Sequence, residues 1–423
     1  MIKEKLLHHI WQFKKFNTLH LYTIEGKKID IINVGTYNTN AGPDFLFAKI
    51  KIDSVEWNGN IEIHVRSSDW IKHKHDHNKS YKNVILHVVY EFDDKDCKIH
   101  NSSFPILELK TYISDEIKNN YTFLKENSFD FIPCEKLISN CLDSEFLNFS
   151  EKLYLEKLKS KCEHIYQILK LKKNDWEATL GAVLAYTFGL KINAEAFEQI
   201  FLSIDYKIIR KISKNKFNME SLLFGVTHEL NNYMDDYPQN LFNEYKFIQS
   251  KYNIPTQLIE IKYMRLRPFN FPSLRLSQLA NLLSIYQNLF SYVIGIKTVQ
   301  QYYQLLDDVK ASIYWNDHYV FDKKTTKYFE KKLSISQKNL LILNAFLPIK
   351  FAYSQSIGNS LDEEIFEILY EIEHENNSII SNYKNLGIKC KSALDSQAFL
   401  YLYNNKCLKR QCLNCEIGFR ILK

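Results

Sequence analysis

The chain has 423 residues, which is enough for two or three domains with well-buried cores. Its 45% hydrophobic and 25% charged residues are typical of a globular protein, and its 11 glycines and 8 prolines argue against long flexible linkers. The formal net charge of +6 permits a nucleic-acid partner but does not require one.

The apolar segments are too short for a membrane protein. None approaches the roughly 18–20 residues that cross a bilayer, and the N-terminal segment lacks the apolar region of a secretory signal. We therefore expect a cytoplasmic protein with no membrane contact. In that reducing compartment its 8 cysteines are expected to be thiols or metal ligands and not disulfides.

Helix and strand patterns alternate over the N-terminal part of the chain. Residues 3–16 have the apolar spacing of an amphipathic helix, and strands follow, the first two turning at Glu25-Gly26. The run NVILHVVYEF is apolar on both faces, as in a central strand that is covered on both sides. We therefore predict a mixed α/β domain over residues 1–130, in the order helix, antiparallel meander, crossover and buried strand.

Helical periodicity dominates the remainder of the chain. The predicted fold class is thus α+β, with a large all-α domain over residues 131–423 that ends in a group of cysteines. Within this domain, the residues of the segment YWNDHY, around Trp315 and His318, are predicted to pack in the interior or to lie at the surface.

An acidic residue opens one predicted strand, and an acid and a histidine lie on one face of the next. Asp44 begins the first strand, and Glu62 and His64 share a face of the second. Carboxylate oxygens suit Mg²⁺ or Mn²⁺, and the histidine can orient a water molecule or a phosphate oxygen. Asp44, Glu62 and His64 are the predicted catalytic residues, with the metal at Asp44 and Glu62. The same pattern is also typical of a half-solvated sheet with its polar side outward.

The pairing register of these strands decides between the two interpretations. A two-residue turn at Asp53-Ser54 pairs Asp44 with Ile63 and sends the two carboxylates to opposite faces. A three-residue turn, or a bulge near Gly59, places them on one face, with Asp44 across from His64. The metal site requires this second register.

Histidines are concentrated after the second strand. They are His73, His75 and His77 in the crossover and His87 in the buried strand. With His64 and Asp76 they can bind Zn²⁺, which would make the protein a zinc-dependent hydrolase. Such a run is also typical of a solvated loop, and a strand histidine is typical of a hydrogen-bonded core.

The C-terminal part contains a C-x4-C-x2-C group, formed by Cys407, Cys412 and Cys415. Three thiols so close together indicate a metal site in a reducing compartment, although free cysteine also packs well in cores. Tetrahedral Zn²⁺ or a cubane iron–sulfur cluster needs a fourth ligand. Cys134 or Cys390 can supply it, and Cys141 and Cys162 are less favoured.

Arginines are concentrated in RLRPFNFPSLRLSQLA, although lysine is the usual basic residue of the chain. Arg265, Arg267 and Arg275 offer planar groups suited to phosphate, and Phe269 and Phe271 can stack on bases. The pattern predicts contacts to a nucleic-acid backbone. An internal corner whose arginines pair with helix ends or acidic residues explains the same pattern.

Several phrases distributed over the chain carry a family resemblance. They are GPDF, GNIEIH, SSDWIKHKHD, VILHVV, RLRPFNFPSLRLSQLA, YWNDHY and the terminal cysteines with Gly418. Together they resemble a bacterial protein family, domain of unknown function 2851, over nearly the whole chain. The resemblance supports the phrases as parts of one protein and implies no reaction.

Pro43-Asp44 and Glu62-Ile63-His64 also resemble the motif of PD-(D/E)xK nucleases, with His64 where those enzymes have lysine. This looser resemblance covers only the first hundred residues or so and implies a restriction-endonuclease-like core with an acidic pair on adjacent strands. An acid in the first helix often adds to such sites, and Glu4 is the candidate. Some related nucleases also carry a four-cysteine cluster, which Cys134 with the C-terminal three would resemble.

These patterns predict a metal-dependent nuclease or nucleic-acid-processing protein that hydrolyses phosphodiester bonds in DNA or RNA. Mg²⁺ or Mn²⁺ is expected at the acidic site, and Zn²⁺ or an iron–sulfur cluster at the cysteines. One alternative is a catalytically inactive nucleic-acid-binding or scaffold protein of nuclease-like fold. The other is the zinc-dependent hydrolase that uses the histidines.

Overall fold

The structure is a computed structural model that describes residues 2–93, 104–126, 129–141, 149–227, 229–230, 233–256 and 259–422. The chain divides into two compact units. The sheet unit comprises Met1–Leu147, Asn377–Lys389 and Phe399–Lys423, and the helical unit comprises Asn148–Asn376 and Cys390–Ala398. This division differs from the predicted boundary at residue 130, because the C-terminal segment with its cysteines groups with the sheet.

The sheet unit contains a mixed seven-stranded sheet with the order β1-β2-β4-β5-β6-β7, and β3 also pairs with β4. Pairing is antiparallel from β1 to β5, whereas β6 is parallel to β5 and β7 is parallel to β6. The strands are β1 Leu21–Tyr22, β2 Lys28–Asn33, β3 Thr36–Tyr37, β4 Phe45–Ile52, β5 Val55–Arg66, β6 Val84–Glu91 and β7 Ile106–Glu108, with β8 His318–Val320 and β9 Lys323–Lys324 forming a separate hairpin in the helical unit.

Helices make up most of the rest of the described chain, so the predicted α+β class is confirmed. They are α1 Glu4–Gln12, α2 Asp69–Lys72, α3 Asp115–Glu126, α4 Phe149–Leu171, α5 Trp176–Phe188, α6 Leu190–Ser203, α7 Tyr206–Ile212, α8 Lys216–Val226, α9 Asp236–Tyr252, α10 Pro272–Ile285, α11 Leu289–Gly295, α12 Val299–Leu306, α13 Ile335–Leu341, α14 Leu347–Ser356, α15 Asp362–Glu371, α16 Ser378–Asn385, α17 Ala393–Leu402 and α18 Glu416–Ile421. Among the described residues, no helix combines the length and apolar character that crossing a bilayer requires.

The first helix covers the sheet with the apolar side that its sequence predicts. Its fully buried residues are Leu6, Leu7, Ile10 and Trp11, which recur at the spacing of one helix face. The Trp11 indole N–H donates to the Val34 carbonyl over 3.1 Å and fixes the helix to the loop after β2. This packing also buries His8, which lies on the same helix.

Strands β4 and β5 form a hairpin whose register decides where the acidic residues lie. The turn that joins them has two residues, and Ala48 pairs with Gly59 in regular register. Beyond that pair the register shifts by one residue, so that Phe45 pairs with Ile61. The extra residue lies in β4, where Phe47 is exposed and has a φ of 58°, in the left-handed region that bulges use.

The prediction of a bulge near Gly59 is therefore wrong for the pairing of β4 with β5, because the bulge lies in β4. A Cβ atom on Gly59 would lie 2.4 Å from the Ile85 side chain and 2.6 Å from the Asn83 carbonyl oxygen. The glycine is required because the chain leading into β6 approaches β5 closely at this point.

Candidate metal centre

Two carboxylates face each other where β4 begins and β5 runs toward its end. Continuing the Phe45–Ile61 pairing by one residue places Asp44 across from Glu62, on the same face of the sheet. The Asp44 N–H donates to Glu62 Oε2 over 3.1 Å, and the Ile63 N–H donates to Asp44 Oδ2 over 2.9 Å. The structure thus brings the two predicted acidic residues together. The residue directly across from Asp44 is Glu62 and not His64, because the bulge lies in β4.

The first helix adds two side chains to this carboxylate pair. His8 Nε2 lies 3.2 Å from Asp44 Oδ2 and 3.8 Å from Glu4 Oε1. Glu4, His8 and Asp44 each offer one ligand atom, and the three atoms lie within 4.8 Å of one another. The sequence had suggested Glu4 but not His8. The available signal was their spacing of four residues, which puts both on one helix face.

Three histidines form a second set beside the first. His64 Nε2 lies 3.1 Å from His73 Nδ1, and a ligand atom of His75 lies within 4.8 Å of both. His64 comes from β5, whereas the other two come from the short crossover that begins with α2. His87 lies behind this set, with its Nε2 2.9 Å from His64 Nδ1. His77 belongs to neither set, and 80% of its side chain is exposed.

Glu62 lies between the two sets. Its Oε1 is 3.2 Å from His75 Nε2 and 3.5 Å from His64 Nε2, while its Oε2 accepts the Asp44 N–H. One carboxylate therefore presents one oxygen toward the histidines and the other toward the acidic set.

Several nitrogens in this centre make no hydrogen bond although they are buried. Among the described residues, His8 Nε2, His75 Nε2 and His87 Nδ1 have no hydrogen-bond partner. His8 and His75 are 8% and 9% exposed, and each nitrogen lies beside a carboxylate oxygen without the geometry of a hydrogen bond. Buried polar atoms are normally satisfied, so this arrangement is unusual for a purely structural core.

Burial and neighbouring groups shift the protonation of the centre. Burial, with the nearby Asp44 charge, raises the pKa of Glu62 to about 9. Burial, with the neighbouring His75 and His73, lowers the pKa of His64 to about 3. Burial likewise lowers the pKa of His75 and of His87. Near neutral pH these three imidazoles are neutral and retain a nitrogen lone pair for a cation.

A cavity of about 860 Å³ opens beside this centre within the sheet unit. Its walls come from α1, from Tyr37, from α3 and from the C-terminal cysteine segment. His8 lines it together with four basic side chains, which are Lys5, Lys125, Lys409 and Arg410. A cavity with several basic side chains thus adjoins one of the possible metal ligands.

Four cysteines line a second, small cavity in the same unit. Cys134 lies there with the three C-terminal cysteines, and none of the four is in a disulfide. Burial, with the nearby thiols of Cys407, Cys415 and Cys412, raises the pKa of Cys134 well above its usual value. Cys390 and Cys162 belong to the helical unit, and the side chain of Cys141 lies outside the described part. Of the candidate fourth ligands, Cys134 is the one that lines this cavity.

The close approach of helix α18 to the cysteine segment depends on Gly418. A Cβ atom on Gly418 would lie 2.0 Å from the Cys412 carbonyl oxygen. The backbone of α18 therefore approaches the cysteine segment more closely than any larger residue allows. The helix is also fixed to the sheet unit by Lys15 Nζ, which donates to the Phe419 carbonyl over 2.8 Å.

The predicted nucleic-acid-binding arginines belong to the helical unit. Arg265 and Arg267 are exposed, but Arg275 is 3% exposed and its guanidinium donates to Gln278 Oε1 and Asn270 Oδ1. Arg275 is thus a buried residue that stabilises an internal corner of the chain. Its buried position does not fit a contact to phosphate.

The fold and the site define an α+β protein with a buried centre of carboxylates and histidines. The chain belongs to the family described as "Protein of unknown function (DUF2851)", whose model matches residues 4–378. The match includes both possible ligand sets of the centre and ends before the C-terminal cysteines. No curated protein and no solved structure gives a significant match to the chain.

Proposed function

We propose that the protein is a metal-dependent phosphodiesterase that cleaves nucleic acid. The observation that carries the proposal is the pairing of Asp44 with Glu62 on one face of the sheet, in contact through backbone N–H groups. Two adjacent carboxylates in a largely buried site favour a cation that offsets their charge. Oxygen-rich ligand sets of this kind suit Mg²⁺ or Mn²⁺.

The chemistry of such a centre follows from the cation and its neighbours. Asp44 and Glu62 would hold the cation, which when bound would supply Lewis-acid polarisation of a phosphate oxygen and a more acidic water molecule as the source of the nucleophile. His64 Nε2, 3.5 Å from Glu62 Oε1, is close enough to the centre to orient that water molecule or a phosphate oxygen. A hydrogen bond with His87 holds its ring, and it stands at the motif position where the nucleases that the motif resembles have lysine.

The basic cavity supports a polyanionic substrate. Lys5, Lys125, Lys409 and Arg410 line it together with His8. A phosphate backbone that lies along these groups gains charge attraction that is independent of base sequence. We therefore propose that DNA or RNA enters through this cavity. Arg265 and Arg267 remain proposed secondary contacts on the helical unit.

The direct test is a cleavage assay with single- and double-stranded DNA and RNA in Mg²⁺ or Mn²⁺. We expect cleavage by the wild type, and its loss in Asp44→Asn and Glu62→Gln, because both changes replace a carboxylate metal ligand with a neutral amide of similar size. Binding without cleavage by the wild type and both variants would instead support a catalytically inactive nucleic-acid-binding protein. Full cleavage by Asp44→Asn would refute the assignment of the site.

The zinc-dependent hydrolase is a second candidate, because three imidazole ligand atoms lie within 4.8 Å of one another. Histidine-rich sets favour Zn²⁺ over Mg²⁺. Zinc retained after purification, with hydrolysis that does not respond to Mg²⁺ and is lost in His73→Ala, would favour this candidate.

We also propose a metal at Cys134, Cys407, Cys412 and Cys415, either Zn²⁺ or an iron–sulfur cluster. It would join residues that are far apart in sequence and so stabilise the C-terminal segment that walls the basic cavity. A visible absorption spectrum of the purified protein distinguishes the two, since Zn²⁺ is colourless. Loss of the bound metal in Cys412→Ser is expected, and an unchanged metal content would contradict the site. Thiolate ligation also agrees with the proposed cytoplasmic location.

A further inference from the structure

We propose that the centre binds two cations bridged by Glu62. A hard cation would be held by Glu4, His8 and Asp44, and a second, softer cation by His64, His73 and His75. Its catalytic use rests on the proposed function, with His64 then acting on water or phosphate through the cation that it holds. The binding of two ions does not rest on the proposed function.

The first argument is the separation of the ligands into two compact groups. Within this centre the described residues form two groups of possible metal ligands, and each group has all its ligand atoms within 4.8 Å. The position of Glu62 joins them, because Oε1 lies near the histidines and Oε2 near the start of β4. A bridging carboxylate places two cations about 3.5–4 Å apart, the separation used in two-metal hydrolases.

The second argument is the chemistry of each group. Three imidazole nitrogens with Glu62 Oε1 make a four-ligand set, which is the number that Zn²⁺ prefers. Two carboxylates and one imidazole, with Glu62 Oε2, form a set richer in oxygen that suits Mn²⁺ or Mg²⁺. The two sites are therefore expected to select different cations.

The third argument is the orientation of the imidazoles. His64 Nδ1 and His87 Nε2 share a hydrogen bond of 2.9 Å, and when His64 donates it, Nε2 of His64 presents its lone pair to the centre. His8 is held in the same way, with Nδ1 3.3 Å from the Tyr37 hydroxyl. Metal-ligating histidines commonly have such a partner on the second nitrogen.

Without a cation, this polar core contains several buried atoms that have no hydrogen-bond partner in the described part. His8 and His75 are more than nine-tenths buried, and the Nε2 atom of each lies 3.2 Å from a carboxylate oxygen and makes no hydrogen bond within the described part. A buried polar atom left without a partner destabilises the folded protein. Cations at the two positions would satisfy both nitrogens and the carboxylates they approach.

The test measures bound metal and not activity. The full-length protein is stripped with a chelator, dialysed against Zn²⁺ and Mn²⁺ together, and analysed for both elements. The informative variants are His73→Ala and Glu4→Ala, because both residues are partly or fully exposed and their loss should leave folding intact. His77→Ala is the matched control, since this exposed histidine belongs to neither group.

We expect His73→Ala to lose one equivalent of Zn²⁺, Glu4→Ala to lose one equivalent of Mn²⁺, and His77→Ala to lose neither. Comparison with the wild type removes any contribution from the cysteine site. With Mn²⁺ alone, the wild type should show an exchange-coupled electron paramagnetic resonance signal that disappears in either variant. If both variants lose the same single ion, or neither loses any, the two-cation centre is refuted.

The outcome separates the two proposals. Two bound ions with no cleavage of any nucleic acid would retain the two-cation centre and reject the phosphodiesterase. Cleavage with a single ion at the centre would retain the phosphodiesterase and reject the two-cation centre.

Discussion

Each of the two units buries a glutamate, but the surroundings differ. Glu62 in the sheet unit is 5% exposed and Glu220 in the helical unit is 1% exposed. Glu220 accepts hydrogen bonds from the hydroxyls of Tyr237 and Ser312 and from the Trp315 indole N–H. Glu62 accepts one backbone N–H and otherwise faces imidazole nitrogens that make no hydrogen bond to it. The same residue type thus has donors on both oxygens in one unit and possible co-ligands in the other.

This difference separates a structural polar group from a candidate functional one. A buried carboxylate that receives several donors is satisfied within the protein and stabilises one packing arrangement. One that faces lone pairs of neighbouring imidazoles needs a cation or a proton to complete it. Burial alone therefore identifies neither role, and the identity of the facing atoms does.

The strongest test of this contrast is the same substitution in both units. Glu62→Gln is expected to abolish metal-dependent cleavage, with a loss larger than the about 10- to 100-fold that changes behind a metal ligand cause. Glu220→Gln, the matched control, should retain the wild-type rate at temperatures where it is folded. Initial cleavage rates in saturating Mn²⁺ measure both. Equal losses would show that the rate reflects general damage to the fold.

A smaller effect is expected from His87→Phe, which keeps an aromatic ring at this position and removes the nitrogen that orients His64. Affinity for the cation at the histidines should fall about 10- to 100-fold. The cation at Glu4, His8 and Asp44 should bind as before. Competition with a chromogenic chelator measures the two affinities separately. Unchanged zinc affinity would mean that His87 serves packing alone.

Part of the fold and of the metal centre could be predicted from the sequence, and the rest depended on packing between segments that are distant in sequence. The amphipathic first helix, the buried β6 strand and the acidic pair followed from local periodicity and residue type. The bulge at Phe47 did not, because neither glycine nor a turn residue marks it. His8 was hidden among the apolar residues of α1, and Cys134 reaches the other cysteines only through tertiary folding. Arg275 was misassigned because composition does not reveal burial.

The hydrogen bonds around Glu220 in the helical unit are expected to contribute to the stability of the folded protein. Replacing Glu220 with Gln places a donor where three donors already converge, and should lower the free energy of unfolding by about 1–3 kcal/mol. Burial raises the pKa of Glu220, so the folded state holds its proton more tightly than the unfolded state. The wild type then gains stability at acidic pH that is lost as the pH rises through the folded-state pKa.

Urea unfolding at several pH values checks both points, because Glu220→Gln removes that component of the pH dependence. The difference in unfolding free energy between wild type and variant should shrink as the pH rises. Added Mn²⁺ should leave the difference unchanged, since no ligand of the proposed centre is altered. A difference that depends on Mn²⁺ would link the network to the metal centre.

The smallest expected effect compares basic residues of the two units. Lys409 lines the cavity beside the metal centre, whereas Arg267 is exposed on the helical unit. Lys409→Gln should weaken nucleic-acid binding by a similar factor for all sequences, and should reduce the slope of log affinity against log salt by about 1. Fluorescence anisotropy over a salt series measures this slope. If Arg267→Gln has the larger effect, the arginines predicted from the sequence carry the binding and the cavity does not. If the slope changes only in Lys409→Gln, the phosphate backbone lies along the wall that the C-terminal cysteine segment supplies.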